Sequence, residues 1–322
     1  MITDSFSQKS LLEQLPKLNI DQGPRAFSAE ERAYIGRYQI DFVNHFPGLN
    51  YYLGTVEAAG YSIVGNCWVP DRPRGTVLVV HGLFDHAGLY GHLIRHLLAS
   101  SYAVFCFDLP GHGLSEGQPA VIGSFDEYVQ SFEACMQIAI SKLPSPLHII
   151  GQSTGSAIIM EWLLSSGATT KGLEPSKVIL LAPLVRPYQW NRNRYLYWAL
   201  KLFVNERPRQ FADGSEDWDF QKFVRDHDPL QARVLPIAWI KAMVKWKNQF
   251  IKYAPTDISP RVIQGDHDTT VDWNYNLGVI EEKFKARTLL VPGARHHLVN
   301  ENSAMRAIIF KAVLDEIEGN AD

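Results

Sequence analysis

Strands and helices alternate along most of this chain, and the alternation predicts an α/β fold with a mostly parallel central sheet covered by helices on both faces. Three observations carry that reading. Apolar runs of strand length, at residues 76–80, 102–109, 147–150 and 178–182, are separated by stretches with helical periodicity. The chain has 322 residues, 46% of them hydrophobic, enough to enclose a large core. Finally, Gly151-Gln152-Ser153-Thr154-Gly155 stands between an apolar strand and an apolar helix, the pattern of a sharp strand-to-helix elbow.

Each element has its own signal. Ser28 with Glu31 three positions on is a capping-box pattern, which predicts a helix running to about residue 46. Its apolar positions Tyr34, Ile35, Tyr38, Phe42, Val43 and Phe46 recur at helical spacing, so residues 1–50 read as a helical extension packed on the body. Residues 51–56 and 61–69 flank Ala58-Ala59-Gly60 and form an antiparallel hairpin. The core then runs to residue 184 through strand 76–80, helix 88–100, strand 102–109, helix 124–143, the elbow and strand 178–182. It resumes over 255–322 with strand 261–264, a helix from about 272 to 284, strand 288–291 and a terminal helix at about 301–317.

Residues 185–254 interrupt the alternation. The segment is long for a loop and rich in helical pattern, so it reads as an inserted helical cap. It holds five of the eight tryptophans, Trp190, Trp198, Trp218, Trp239 and Trp246. From Arg186 to Lys252 there are thirteen Lys or Arg against seven Asp or Glu, although the whole chain carries −3. Trp239, Met243, Trp246, Phe250 and Tyr253 lie on one face of a helix that also bears Lys241, Lys245 and Lys252. Such a stripe packs over a core or walls an acyl tunnel with a basic rim, the second arrangement suiting anionic lipid heads or an anionic membrane surface.

Composition narrows the partners. A net charge of −3 gives no reason to expect nucleic acid. Cys67, Cys106 and Cys135 show no metal-site or CxxC spacing and read as buried thiols of a reducing compartment. The first twenty residues lack a basic and apolar leader pattern, and no run spans a bilayer, so a soluble cytoplasmic protein is expected.

Ser153 is a weak nucleophile unless a base takes its proton and an acid orients the base. Both types follow in chain order, each in a loop after a strand: Gly265-Asp266-His267-Asp268, then Arg295-His296-His297. His81-Gly82-Leu83-Phe84-Asp85-His86 follows the first central strand, at the carboxyl edge where open α/β sheets place their sites. The Leu83 backbone N–H there and that of Thr154 are candidates to hold an oxyanion. His81 and His86 lack a third ligand of metal-site spacing and read as structural, and His112, in Asp108-Leu109-Pro110-Gly111-His112-Gly113, reads as a turn-fixing residue.

These stretches resemble the α/β-hydrolases of the monoacylglycerol lipase and lysophospholipase type. HGLFDHAGLY, from His81, is similar to that family's HGxGEHxGRY. FDLPGHGLSEG matches its D-x-x-GHG-x-S-x-G turn, GQSTGS its GHSMGG, and VPGARHHLVNE its G-x-x-H-x-x-x-x-E ending. The resemblance implies an α/β-hydrolase fold and a serine carboxylic-ester hydrolase of lipid-like esters. Ser153 would be the nucleophile, His296 the base and Asp268 the acid, with the Leu83 and Thr154 amides as the oxyanion hole. Asp266, Asp272 and His297 are the alternatives, Asp272 also fitting a helix N-cap. Gln152, Thr154, Ser156, Phe84 and Asp85 depart from the family pattern, and Thr154 and Phe84 fall at the expected pocket mouth. Phe84, Trp190, Trp239, Met243 and Trp246 are the expected substrate contacts. The chemistry implied needs no metal or organic cofactor. A depolymerase of polyhydroxyalkanoate-type oligoesters is the nearest rival reading, and a non-catalytic binding module on the same fold a more distant one.

Overall fold

The computed structural model describes residues 6–165, 174–192, 195, 204–211 and 213–320. Its centre is an eight-stranded sheet of order β1-β2-β4-β3-β5-β6-β9-β10. These are β1 Asn50–Ala58, β2 Tyr61–Val69, β3 Thr76–Val80, β4 Ala103–Phe107, β5 Leu147–Gln152, β6 Lys177–Leu181, β9 Arg261–Gly265 and β10 Arg287–Val291. β2 is antiparallel to β1 and β4, and every other neighbouring pair is parallel. Tight pairing of β1 with β2 follows from the two-residue turn Ala59-Gly60, whose φ values of +53° and +81° match the twist of a hairpin.

Strands buried on both faces need apolar residues at every position rather than at alternate ones. All five residues of β3 and of β4 are buried, and successive residues enter opposite cores. Leu78, Val80, Phe105 and Phe107 pack on one face with helices α4 Phe125–Lys142 and α5 Thr154–Ser165. Val77, Val79, Val104 and Cys106 pack on the other with α3 Gly91–Ala99 and α9 Ser303–Glu318. Cys67, Cys106 and Cys135 are free and buried. No helix among the described residues is long and apolar enough to cross a membrane.

The N-terminal region departs from expectation. Helix α2 is Ala29–Arg37, with the Ser28/Glu31 capping box formed, and it ends about nine residues early. Gln39 turns to φ +53°, its N–H donates to Gly36 O, and the Ile40 N–H donates back to Ile35 O. That is a helix stop of the kind glycine normally supplies, here made by Gln39 and sealed by the buried Ile40. Tyr34, Ile35, Tyr38 and Phe42 are still buried, while Val43 is exposed. A short helix, α1 Gln8–Gln14, and a bridge from Lys17 to Thr55 also occur without a prior sequence signal.

Between β6 and β9 no described residue joins the main sheet. This segment holds a two-stranded antiparallel ribbon, β7 Glu206–Pro208 with β8 Val234–Pro236, in addition to the helical structure expected. The helices are α6 Trp218–Lys222, a π turn at Phe223–His227, and α7 Ile237–Phe250. Trp198 lies outside the described residues. On α7, Trp239, Met243, Trp246 and Phe250 are all buried, with Lys241 and Lys245 on its exposed side. The core closes after β9 with α8 Trp273–Lys283, whose N-cap is Asp272.

Candidate active site

The elbow requires its glycines. A Cβ on Gly151 would stand 2.6 Å from Ser156 N, and one on Gly155 would stand 2.1 Å from Val80 O. Between them Ser153 is held at φ +52°, a conformation costly for a side-chain-bearing residue, with its N–H donating to Leu181 O at 2.8 Å. Strain at one residue thus lifts its hydroxyl from the end of β5 to the start of α5.

The loops after β9 and β10 meet that hydroxyl. His296 Nε2 lies 3.0 Å from Ser153 Oγ, and its Nδ1 lies 2.7 Å from Asp268 Oδ2. An ionised carboxylate only accepts, so Nδ1 carries the proton and Nε2 is free to accept from the serine. Asp268 is buried and oriented by further donors: the Thr270 and Val271 N–H groups on Oδ1, and Gln264 Nε2 on Oδ2. Burial alone would raise its pKa, but the facing imidazole, with the hydrogen bonds it and the two amides supply, holds it below the usual carboxylate value. His296 is shifted the other way: burial would lower its pKa, and the Asp268 charge outweighs that and raises it.

Gln152, one of the departures from the family pattern, braces this arrangement by donating from Nε2 to His296 O at 2.8 Å. Thr154 opens α5, so its N–H has no intrahelical acceptor. The Leu83 N–H makes no backbone hydrogen bond among the described residues. Both residues line the same cavity as Ser153 and His296.

The other candidates are placed elsewhere. Asp266 accepts from Gly293 N at 2.7 Å, fixing its loop, and Asp272 caps α8 and pairs with Arg186. His297 turns away from the triad, its Nε2 lying 3.0 Å from Asp85 Oδ1. His81 Nε2 accepts from Leu109 N while Nδ1–H donates to Gly82 O, and burial drives its pKa down to about 3. His112 is similarly buried, with Nδ1 on Pro110 O. Among the described residues no three His, Cys, Asp or Glu side chains converge as a metal site would require.

The cavity has a volume of about 400 Å³, ample for a small-molecule ester. Phe84, Trp190, Trp239 and Met243 line it. Trp246 does not. It stacks on Phe125 with ring centroids 4.9 Å apart and donates from Nε1 to Glu161 Oε2, so the helical spacing that groups it with Trp239 also turns it inward, onto α4 and α5. The stripe on α7 therefore serves both purposes, walling the cavity at its N-terminal half and packing on the core beyond. Sequence reasoning missed three arginines that line the same cavity, Arg207, Arg209 and Arg225. The positive charge of residues 186–252 is visible in the sequence, but not which side chains turn inward.

A strained serine on a strand-to-helix elbow, an imidazole and a buried carboxylate at the carboxyl edge of this sheet define an α/β-hydrolase. The chain belongs to the family described as serine aminopeptidase, S33, whose profile matches residues 71–303. Among its relatives, phospholipase YtpA of Bacillus subtilis is 32% identical over 64% of this chain and 80% of that protein. A monoacylglycerol lipase of Mycolicibacterium smegmatis is 34% identical over 40% of this chain, and there the match spans only 45% of the relative. In three dimensions the chain is similar to a soluble variant of monoglyceride lipase from Saccharomyces cerevisiae. The TM-score is 0.70 at 19% identity, covering 84% of this chain and 95% of that one, a likeness of fold.

Proposed function

We propose that this chain is a serine carboxylic-ester hydrolase of the carboxylesterase and lipase type, acting on lipid-like esters such as monoacylglycerols or lysophospholipids. The observation that carries the reading is the unbroken line Ser153–His296–Asp268 opening into a cavity whose α7 wall is apolar. Relatives named monoacylglycerol lipase and phospholipase support the substrate class. Ser153 Oγ attacks the ester carbonyl as His296 Nε2 takes its proton, and Asp268 stabilises the imidazolium that results. The Leu83 and Thr154 amides receive the oxyanion, each worth roughly 3 kcal/mol to the transition state. His296 returns the proton to the departing alcohol, and water then repeats the sequence on the acyl-enzyme.

A peptidase role, as the family description has it, fits the cavity less well. An aminopeptidase must receive a cationic amine, and the cavity lining carries Arg207, Arg209 and Arg225 against Asp85 and Asp213. The exposed Lys241, Lys245 and Lys252, together with the exposed Trp218, support peripheral contact of the cap with an anionic membrane, which a liposome assay with and without anionic lipid tests.

The deciding experiment is a hydrolysis profile over p-nitrophenyl esters of increasing chain length beside monoacylglycerol, lysophospholipid and an aminoacyl p-nitroanilide. Ester turnover, lost in Ser153→Ala together with fluorophosphonate labelling, is expected. Preferential cleavage of the anilide would replace the esterase reading with a peptidase one.

A further inference from the structure

We infer that the cavity selects esters bearing an anionic group, a phosphate or a carboxylate on the alcohol side, and that Arg209 is the residue that binds it. The proposal rests on the ester-hydrolase reading and narrows its substrate class.

Arg209 lies in the cavity wall beside β7. Its guanidinium is sandwiched between two rings, with Cζ 4.1 Å from the Phe84 centroid and 4.4 Å from that of Phe211. Nη1 donates to Gln231 Oε1 and to Ala232 O. Every one of these partners is neutral. No carboxylate of the described residues lies within 4.0 Å of the guanidinium, and Nε and Nη2 have no acceptor among them.

The nearby carboxylates are already committed. Asp228 accepts from Tyr38, Gln231 and the Leu230 N–H and faces His86, while Asp85 accepts from Tyr90 Oη and lies 3.0 Å from His297 Nε2. Arg207 and Arg225 also line the cavity, Arg225 paired with Asp226, and of the two acidic residues lining it Asp85 is the one so engaged, Asp213 being the other. Burial lowers the Arg209 pKa to about 10, so the group stays charged at neutral pH.

A partly desolvated cation with no carboxylate in contact is costly, Asp85 and Asp228 acting on it only from a distance, and a planar guanidinium with N–H groups to spare matches the two oxygens of a phosphate or carboxylate. Its position serves the reaction. Phe84, on whose face it stacks, directly follows Leu83, the expected oxyanion donor, and Trp190, Trp239 and Met243 supply apolar lining in the same cavity. An amphiphilic ester thus meets apolar side chains for its acyl part and a guanidinium for an anionic group within one cavity.

The test compares decanoylglycerol, decanoylglycerol phosphate and the decanoyl ester of hydroxypropanoate as substrates for the parent, Arg209→Gln and Arg209→Lys proteins. The parent is expected to prefer both anionic esters. Arg209→Gln should raise KM for them about tenfold or more, the worth of a charge-assisted hydrogen bond, with kcat and the neutral ester little changed, and Arg209→Lys should recover part of the loss. The phosphate and carboxylate arms show which anion fits better. An equal loss on neutral and anionic esters would reduce Arg209 to a brace between Phe84 and Phe211 and overturn the proposal. Calorimetry of decyl phosphate with the Ser153→Ala protein separates this from the ester-hydrolase reading. Binding that depends on Arg209 without turnover of any ester sinks only that reading, whereas ester turnover without decyl phosphate binding sinks only the anion site.

Discussion

His86 Nε2 and Asp228 Oδ2 lie 3.0 Å apart with both side chains buried, joining the loop after β3 to the segment inserted between β6 and β9. Tyr38 Oη donates to the other oxygen of Asp228 at 2.6 Å, so the N-terminal extension closes the same knot.

Removing the Asp228 charge leaves a buried imidazole without its partner. Asp228→Asn is expected to cost about 3 kcal/mol or more, read from denaturant unfolding. The cost should vary with pH. Burial opposes the charge on His86, but Asp228 overcomes it and raises the His86 pKa, so that contribution is full below the ordinary histidine value and fades as pH rises through the raised one. Burial likewise opposes ionisation of Asp228, but His86 and its other donors lower its pKa to about 2, so that contribution fades as pH falls toward that value. The difference in Tm between parent and variant should therefore be greatest between about pH 4 and pH 6.5 and shrink on either side.

As the proposed general base His296 works only as the neutral imidazole, and Asp268 raises its pKa. The acid limb of the kcat/KM profile is expected above the ordinary histidine value near 6.5. Asp268→Asn should lower kcat by roughly 10⁴-fold and shift that limb downward. An unchanged limb in the variant would show that another group controls it.

Two glycines should respond oppositely to alanine. At Gly155 the new methyl meets Val80 O at 2.1 Å, and Gly155→Ala is expected to abolish fluorophosphonate labelling of Ser153. Gly278, inside α8, has nothing within 4 Å of its would-be Cβ, and Gly278→Ala should stabilise by roughly 0.5–1 kcal/mol. Urea unfolding with an activity check reads both.

Trp246 and Trp239, seven residues apart on α7, should separate stability from specificity. Trp246→Phe removes the donor to the buried Glu161 and is expected to cost about 1–3 kcal/mol without altering the chain-length profile. Trp239→Ala widens the cavity and should move the preferred ester toward longer or bulkier acyl groups. A shifted profile for Trp246→Phe would contradict the division of that helix face.

The features legible in the sequence are those set by local chemistry. The glycines around Ser153 announce the elbow because no side chain fits there, and the apolar runs of β3 and β4 announce strands covered on both sides. Side chains that meet across long separations were harder to read. Gln39 stops α2 without the usual glycine, so the helix was expected to continue. The inward turn of Arg209 depends on the β7–β8 ribbon, two three-residue strands too short to leave a periodic signal. Asp266 and Asp268 are equivalent in composition, and only the loop geometry turns one toward His296 and the other toward Gly293.

Tyr38 and Asp228 are 190 positions apart, and His86 and Asp228 are 142 apart. During synthesis the earlier two residues emerge long before the aspartate they share, so the inserted segment cannot be fastened until Asp228 itself has left the ribosome. The first strands can assemble by then, but the chamber above Ser153 is completed late, a sequence of events that ties the appearance of activity to the tail end of folding.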